Sequence, residues 1–238
     1  MRSSLTTGLG VIVGFVLATA SAQAAPVDFT TMQLNGIASA TSNDLNLGNG
    51  LAGTSSSAFL APISSSSSFT SSFNFTLTAN PSNPDGISPQ ADGITFIFLA
   101  DPSGATALGG GGGGVGASGL SNNIGISFRS WDNNHSIIFT NGNVFDPSVH
   151  AFGNFNLGDQ DDVVLVTIIY IGNVLIYTAK NTSTGVTIGD SLAFDLASLG
   201  PSVYLGFTGG TGLGYSYQDV HDWDLNVTRG VPEPATRA

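Results

Sequence analysis

Asp92 stands at the head of a nearly unbroken apolar run, Ile94-Thr95-Phe96-Ile97-Phe98-Leu99, and six glycines follow at residues 109–114. A carboxylate accepts hydrogen bonds from hydroxyls. Glycine N–H groups can come close to a ligand because no Cβ intervenes. Together they suit a neutral, hydroxyl-rich ligand. A second cluster, Trp131-Asp132-Asn133-Asn134, suits the same ligand. An indole can stack on the apolar face of a sugar ring, and Asn133 offers both a donor and an acceptor. Each feature alone also has a plainer explanation: an ordinary strand, a glycine loop, a tryptophan folded over the rim of a core.

Other chemistries are poorly served. Glycoside hydrolysis needs paired carboxylates, one of them protonated. The only glutamate, Glu233, lies near the C-terminus, and no Asp pair shares a strand face at close spacing. Asp159, Asp161 and Asp162 precede a strand and read as a solvated turn rather than a cation site. No G-x-S-x-G elbow occurs, and His135, His150 and His221 lack metal-ligand spacing. The chain therefore reads as a non-enzyme.

Composition narrows the partners. The formal net charge is −11, and Arg129 and Lys180 are the only cations between residues 25 and 228. So acidic a surface opposes binding to nucleic acid or to anionic membranes. Arg2, the apolar stretch 9–20 and the small-x-small pattern Ala22-Gln23-Ala24 read as a secretory signal over residues 1–24. The apolar stretch is too short for a comfortable membrane span. The expected mature chain starts at Ala25. It contains no Cys, so stability has to come from core and backbone pairing.

Beyond residue 24 no helical pattern appears. Short β-rich runs at 69–78, 93–100, 124–130, 163–170, 174–179 and 203–208 alternate with Gly, Asn, Asp and Ser clusters. This predicts an all-β sandwich or barrel over residues 25–228. Asn141-Gly142 predicts a hairpin joining 136–140 to 143–145, and Ile171-Gly172-Asn173 a second one. Trp223, in the strand-like stretch 221–228, is assigned to the core.

Four segments, in order, resemble the legume-type (L-type) lectins. Leu34-Asn35-Gly36-Ile37-Ala38, residues 58–63 and residues 69–77 follow the order of the family's opening strands. Ala91-Asp92-Gly93-Ile94-Thr95-Phe96 resembles its sugar-binding Asp motif. Ile126-Ser127-Phe128-Arg129-Ser130-Trp131-Asp132-Asn133 resembles the strand carrying its metal ligands and sugar-contacting Asn. Residues 206–212, running on to Val220-His221-Asp222-Trp223, resemble its last specificity loop and final strand.

The resemblance implies a concanavalin-like jelly-roll sandwich of two antiparallel sheets. It implies a carbohydrate site in which Asp92, after a cis Ala91–Asp92 peptide, accepts sugar hydroxyls. Gly110 would supply the backbone donor, Asn133 the side-chain donor, and Trp131 the ring under the sugar. Leu213 and Gly214 would take backbone positions in the specificity loop. The family's calcium and transition-metal ligands are not carried over: Ser127 and Arg129 stand where it keeps Glu and Asp, and His135 comes far sooner than the family's His. The expected cofactor is none, with Arg129 as a candidate metal-replacing cation, paired with Asp92 or else Asp132.

The tail, residues 229–238, contains Val231-Pro232-Glu233-Pro234 and resembles the opening of a bacterial PEP-CTERM sorting signal without its apolar helix and Arg cluster. The reading is thus a secreted, extracellular carbohydrate-binding protein of bacterial type. Its partner is a polysaccharide or glycan, with no nucleic acid and no membrane anchor; a homo-oligomer is left open. The alternative is a structural matrix protein on a lectin scaffold that has lost sugar and metal binding. A polysaccharide-degrading enzyme ranks third.

Overall fold

The computed structural model describes residues 25–83, 90–131, 135–145, 157 and 162–228. The signal and the C-terminal tail expected from the sequence lie outside the described residues. Two antiparallel sheets face each other. The back sheet contains β1 (Ala25–Pro26), β3 (Ser39–Ala40), β4 (Asp44–Asn49), β7 (Ser68–Ala79), β11 (Val164–Ile171), β12 (Val174–Asn181), β13 (Thr187–Ala193) and β15 (Ser216–Thr228). The front sheet contains β2 (Gln33–Gly36), β5 (Ser55–Phe59), β6 (Ile63–Ser64), β8 (Gly93–Leu99), β9 (Asn123–Arg129), β10 (His135–Thr140) and β14 (Ser202–Gly210). The order β10-β9-β8-β14-β5-β2 places β8 and β14, distant in sequence, side by side. This is the jelly-roll sandwich that the resemblance implied.

Strand patterning follows from which faces are covered. In β7 the side chains of Phe69, Ser71, Phe73, Phe75 and Leu77 point inward, and Thr70, Ser72, Asn74 and Thr76 face outward. The β8 and β9 strands are buried along their whole length, so they carry no such alternation. One face of β8 sends Ile94, Phe96 and Phe98 into the core between the sheets, where Phe73, Phe207 and Trp223 meet them. The other face sends Ile97 and Leu99 into a second cluster with Ala107, Val115, Ala117 and Val144. Trp223 is in the main core as expected, and its Nε1 donates to Ser71 Oγ at 2.8 Å.

The second cluster exists because the glycine-rich segment 105–118 lies over the front sheet. That segment has few side chains, so hydroxyls and an amide of the sheet reach up to its carbonyls. Ser55 Oγ donates to Gly109 O at 2.7 Å, Ser57 Oγ to Ala107 O at 2.6 Å, and Thr208 Oγ1 to Val115 O at 2.6 Å. Asn35 Nδ2 donates to Ala105 O at 2.8 Å. Buried backbone carbonyls need such partners. Ser55, Ser57 and Thr208 are therefore structural.

Of the two expected hairpins, Gly172-Asn173 joins β11 to β12 with φ of +57° and +60°, a type I′ pattern. Asn141-Gly142 also turns, with φ of +53° and +68° and an Asn143 N–H to Thr140 O bond of 3.1 Å. Residues 143–145 form no strand, which corrects the expectation of a hairpin arm there. The turn is stitched to the start of β9 instead: Asn141 N–H donates to Asn123 O and Gly142 N–H to Asn123 Oδ1. The chain then leaves the sheet, Val144 drops into the second cluster, and its carbonyl accepts from Arg129.

Candidate functional site

Asp92 sits where the front sheet ends, immediately before β8, after a cis Ala91–Asp92 peptide bond. Serines from two elements pin the segment. Ser216 Oγ, at the start of β15, donates to Ala91 O at 2.9 Å, and Ser130 Oγ donates to Gln90 O at 2.7 Å. Asp92 N–H donates to Gly210 O at 3.2 Å, and Asp92 O accepts from Ser130 N–H at 3.0 Å. The backbone is thus fixed on both sides, and Asp92 is only 6% exposed. Sequence reading missed Ser130 and Ser216; their signal, a hydroxyl beside a strand end, is too common to single them out.

The carboxylate faces two glycine segments. A Cβ built on Gly212 would stand 3.2 Å from Asp92 Oδ2 and 3.4 Å from Gly112 Cα. Both segments are tied through Thr211, which is fully buried. Thr211 O accepts from Gly112 N–H at 3.0 Å, its N–H donates to Thr54 O at 3.0 Å, and its Oγ1 donates to Leu51 O at 2.6 Å. The positive φ of Gly112, +58°, lets the loop turn over this clasp. Leu213, beyond it, is 87% exposed, while Gly214 is buried and accepts from Gly212 N–H at 3.1 Å.

Trp131 stands on the other side of the same loop and is 46% exposed. A Cβ on Gly113 would lie 3.0 Å from Trp131 Nε1, 3.3 Å from Arg129 Nη2 and 3.3 Å from Phe145 Cε1. Asp92, Gly112-Gly113, Gly212 and Trp131 therefore share one end of the sandwich. Asn133 and Asp132 lie outside the described residues.

Gly110 does not fill its expected role. Its N–H donates to Ser118 O at 3.0 Å and its carbonyl accepts from Gly116 N–H at 2.9 Å, so its polar groups close the loop internally. Gly112 and Gly113 are the glycines beside Asp92 and Trp131. The loop's turns use the N–H groups of Gly114, Val115 and Gly116, and that of Gly112 goes to Thr211 O. Six identical residues carry no register mark, so this offset was not readable in sequence. Phe145, 58% exposed, is a further ring at this end that the sequence does not single out, because it falls in the stretch 143–145 expected as a hairpin arm.

Arg129 is 1% exposed, which excludes a solvent-facing side chain. Its Nη1 donates to Val144 O at 2.6 Å, and its guanidinium carbon lies 5.0 Å from the centre of the Phe145 ring. Its strand neighbours across the sheet are Gly93 and His135. The short link after Trp131 thus brings His135 directly opposite Arg129 despite its early place in the chain. Ser127 and Arg129 provide a hydroxyl and a permanent cation where a divalent ion would need carboxylates. Among the described residues no group of three or more His, Cys, Asp or Glu gathers.

Two acidic side chains far from Asp92 have shifted pKa values. Asp44 is held below its usual range, chiefly by a hydrogen bond with His221. Burial raises that of Asp219, against the opposing hydrogen bond from Asn46.

No protein-family model matches the chain. Solved structures do match. The lectin from Bauhinia forficata in complex with GalNAc gives a TM-score of 0.71 at 19% identity, covering 87% of this chain and 98% of that one. The acidic lectin of winged bean, complexed with methyl-α-D-galactose, gives 0.70 at 22% identity, covering 87% and 98%. Arcelin-5, a lectin-like defense protein from Phaseolus vulgaris, gives 0.69 at 19% identity, covering 84% and 93%. At such identities the likeness establishes the fold, which is that of the legume lectins.

Proposed function

We propose that this protein is a secreted, non-enzymatic lectin that binds a neutral glycan at the Asp92 end of its sandwich. The observation carrying this is the placement of a pinned carboxylate, a glycine loop and a half-exposed indole around Gly112-Gly113, on a fold shared with sugar-binding proteins. Asp92 accepts from two sugar hydroxyls, and its charge roughly doubles the strength of each bond. Gly113 presents a backbone N–H without steric cost. Trp131 covers the apolar face of the ring. No acid–base pair is required, because no bond is broken.

The retained glycans are galactose or N-acetylgalactosamine ends on extracellular polysaccharide, by analogy with the ligands of the winged bean and Bauhinia lectins. A glycan array containing these ends tests the reading. Saturable binding to at least one of them, lost in Asp92→Asn, supports it. An array without any hit favours the matrix-protein alternative, for which the lectin-like defense protein arcelin-5 offers a parallel of fold. Export is tested separately: cleavage after Ala24 should give a mature N-terminus at Ala25 in the medium.

A further inference from the structure

We infer that Arg129 is the resident cation of this site, holding Phe145 beside Trp131 as a second stacking ring, so that sugar is bound without a divalent metal ion. The inference rests on the lectin reading for its ligand but not for its structural part.

Burying a guanidinium is costly unless it is paired and hydrogen-bonded. Arg129 is sunk to 1% exposure at the end of β9, while Lys180, the other Lys or Arg of the described residues, is exposed on the opposite sheet. The guanidinium is planar, permanently charged and a donor in several directions. One donor captures Val144 O at 2.6 Å, which fixes the chain just before Phe145. Its charge then faces the Phe145 ring at 5.0 Å, within cation–π range. Two contacts on adjacent residues locate a ring that no strand holds.

The ring so placed is useful to a ligand. Phe145 and Trp131 both approach the Cβ direction of Gly113, at 3.3 and 3.0 Å, and both remain about half exposed. They flank the loop that Asp92 faces through Gly112 and Gly212. Arg129 also lies opposite Gly93, the residue after Asp92, and Ser130 N–H holds Asp92 O. One buried cation therefore braces the aromatic side of the site and adjoins the strand end that carries the carboxylate. A calcium ion placed beside it would meet like charge and, in Ser127 and His135, no hard anionic ligand.

The test uses the mature protein and melting, metal content and sugar binding as separate readouts. Treatment with EDTA, or addition of millimolar Ca²⁺ and Mn²⁺, should move Tm by less than about 1 °C. Mass spectrometry of the metal content should find less than stoichiometric metal. Arg129→Gln should lower Tm by several degrees and raise acrylamide quenching of Trp131, and Arg129→Lys should not restore either. Phe145→Ala should leave Tm nearly unchanged and weaken binding of a galactose or N-acetylgalactosamine oligosaccharide about tenfold. Stoichiometric calcium, a rise of several degrees on adding it, or an Arg129→Gln protein that melts and quenches as the parent does would overturn the proposal. If Arg129→Gln does not fold, the metal arms and Phe145→Ala decide it. If no sugar binds the parent protein, the lectin reading fails, and the metal and melting arms still judge Arg129.

Discussion

Under the proposed function, single side chains at this site divide into those that meet ligand and those that hold the ligand-facing groups in place. On the proposed reading Asp92 belongs to the first group: its backbone is tied to Ser130 and Gly210, which fixes where its carboxylate stands. Asp92→Asn keeps the shape and removes the charge. It should abolish measurable sugar binding in calorimetric titration while shifting Tm by no more than a few degrees. Trp131→Ala should cost about 1 kcal/mol of binding, the scale of one aromatic stacking contact. Equal affinity of the parent and both variants for any glycan hit would remove the site from this end of the fold. Thr211 is of the second kind. Thr211→Val should lower stability, because Leu51 O and the Thr54 hydroxyl lose a buried partner.

Elements set the geometry that these residues use. The glycine loop stays thin because the sheet below it supplies the hydrogen bonds, and it stays close to Trp131 because Gly113 has no Cβ. Gly113→Ala places a methyl 3.0 Å from the indole nitrogen. It should therefore reduce sugar affinity several-fold with little change in melting, measured side by side on one preparation. The same strands reveal a titrating group far from the site. Tyr177 on β12 shares a hydrogen bond with Ser136 on β10 across the core, and burial pushes its pKa up to about 12 from 10.0. The folded protein keeps this proton to higher pH than the unfolded chain does. The resulting stability is complete below pH 10 and is lost as the pH rises toward 12. Chemical denaturation at steps across that window should show the fall, and Tyr177→Phe should lack it.

At the scale of the whole molecule, charge is the dominant surface property. A net charge of −11 with few cations makes the folded state self-repelling at neutral pH. Salt screens such repulsion over about 10 Å at 0.1 M. Tm should accordingly rise by a few degrees between 10 and 300 mM NaCl, and a flat or falling response would contradict this. Exposed large apolar side chains are also distributed unevenly. Leu51, Trp131, Phe145 and Leu213 rim the site or flank its clasp, whereas Leu165, Ile169, Ile171 and Leu192 belong to β11, β13 and the β11–β12 turn region of the back sheet.

What the sequence determined by itself was the part encoded in local pattern and short-range chemistry. Alternating Phe and Ser/Thr in β7, the apolar run of β8, the Gly172-Asn173 turn and the buried Trp223 were all readable, because burial of one or both sheet faces dictates residue type at each position. Asp92 could be singled out because a carboxylate is conspicuous before an apolar strand. Only the tertiary structure decided the rest. It chose Gly112 and Gly113 over Gly110, because six identical residues are told apart only by what packs on them. It replaced a hairpin arm at 143–145 with a loop, because Arg129 takes the Val144 carbonyl and Val144 packs into the second cluster. It buried Arg129, brought His135 opposite it and set Phe145 beside Trp131, since register between strands far apart in the chain follows from packing of the whole sandwich.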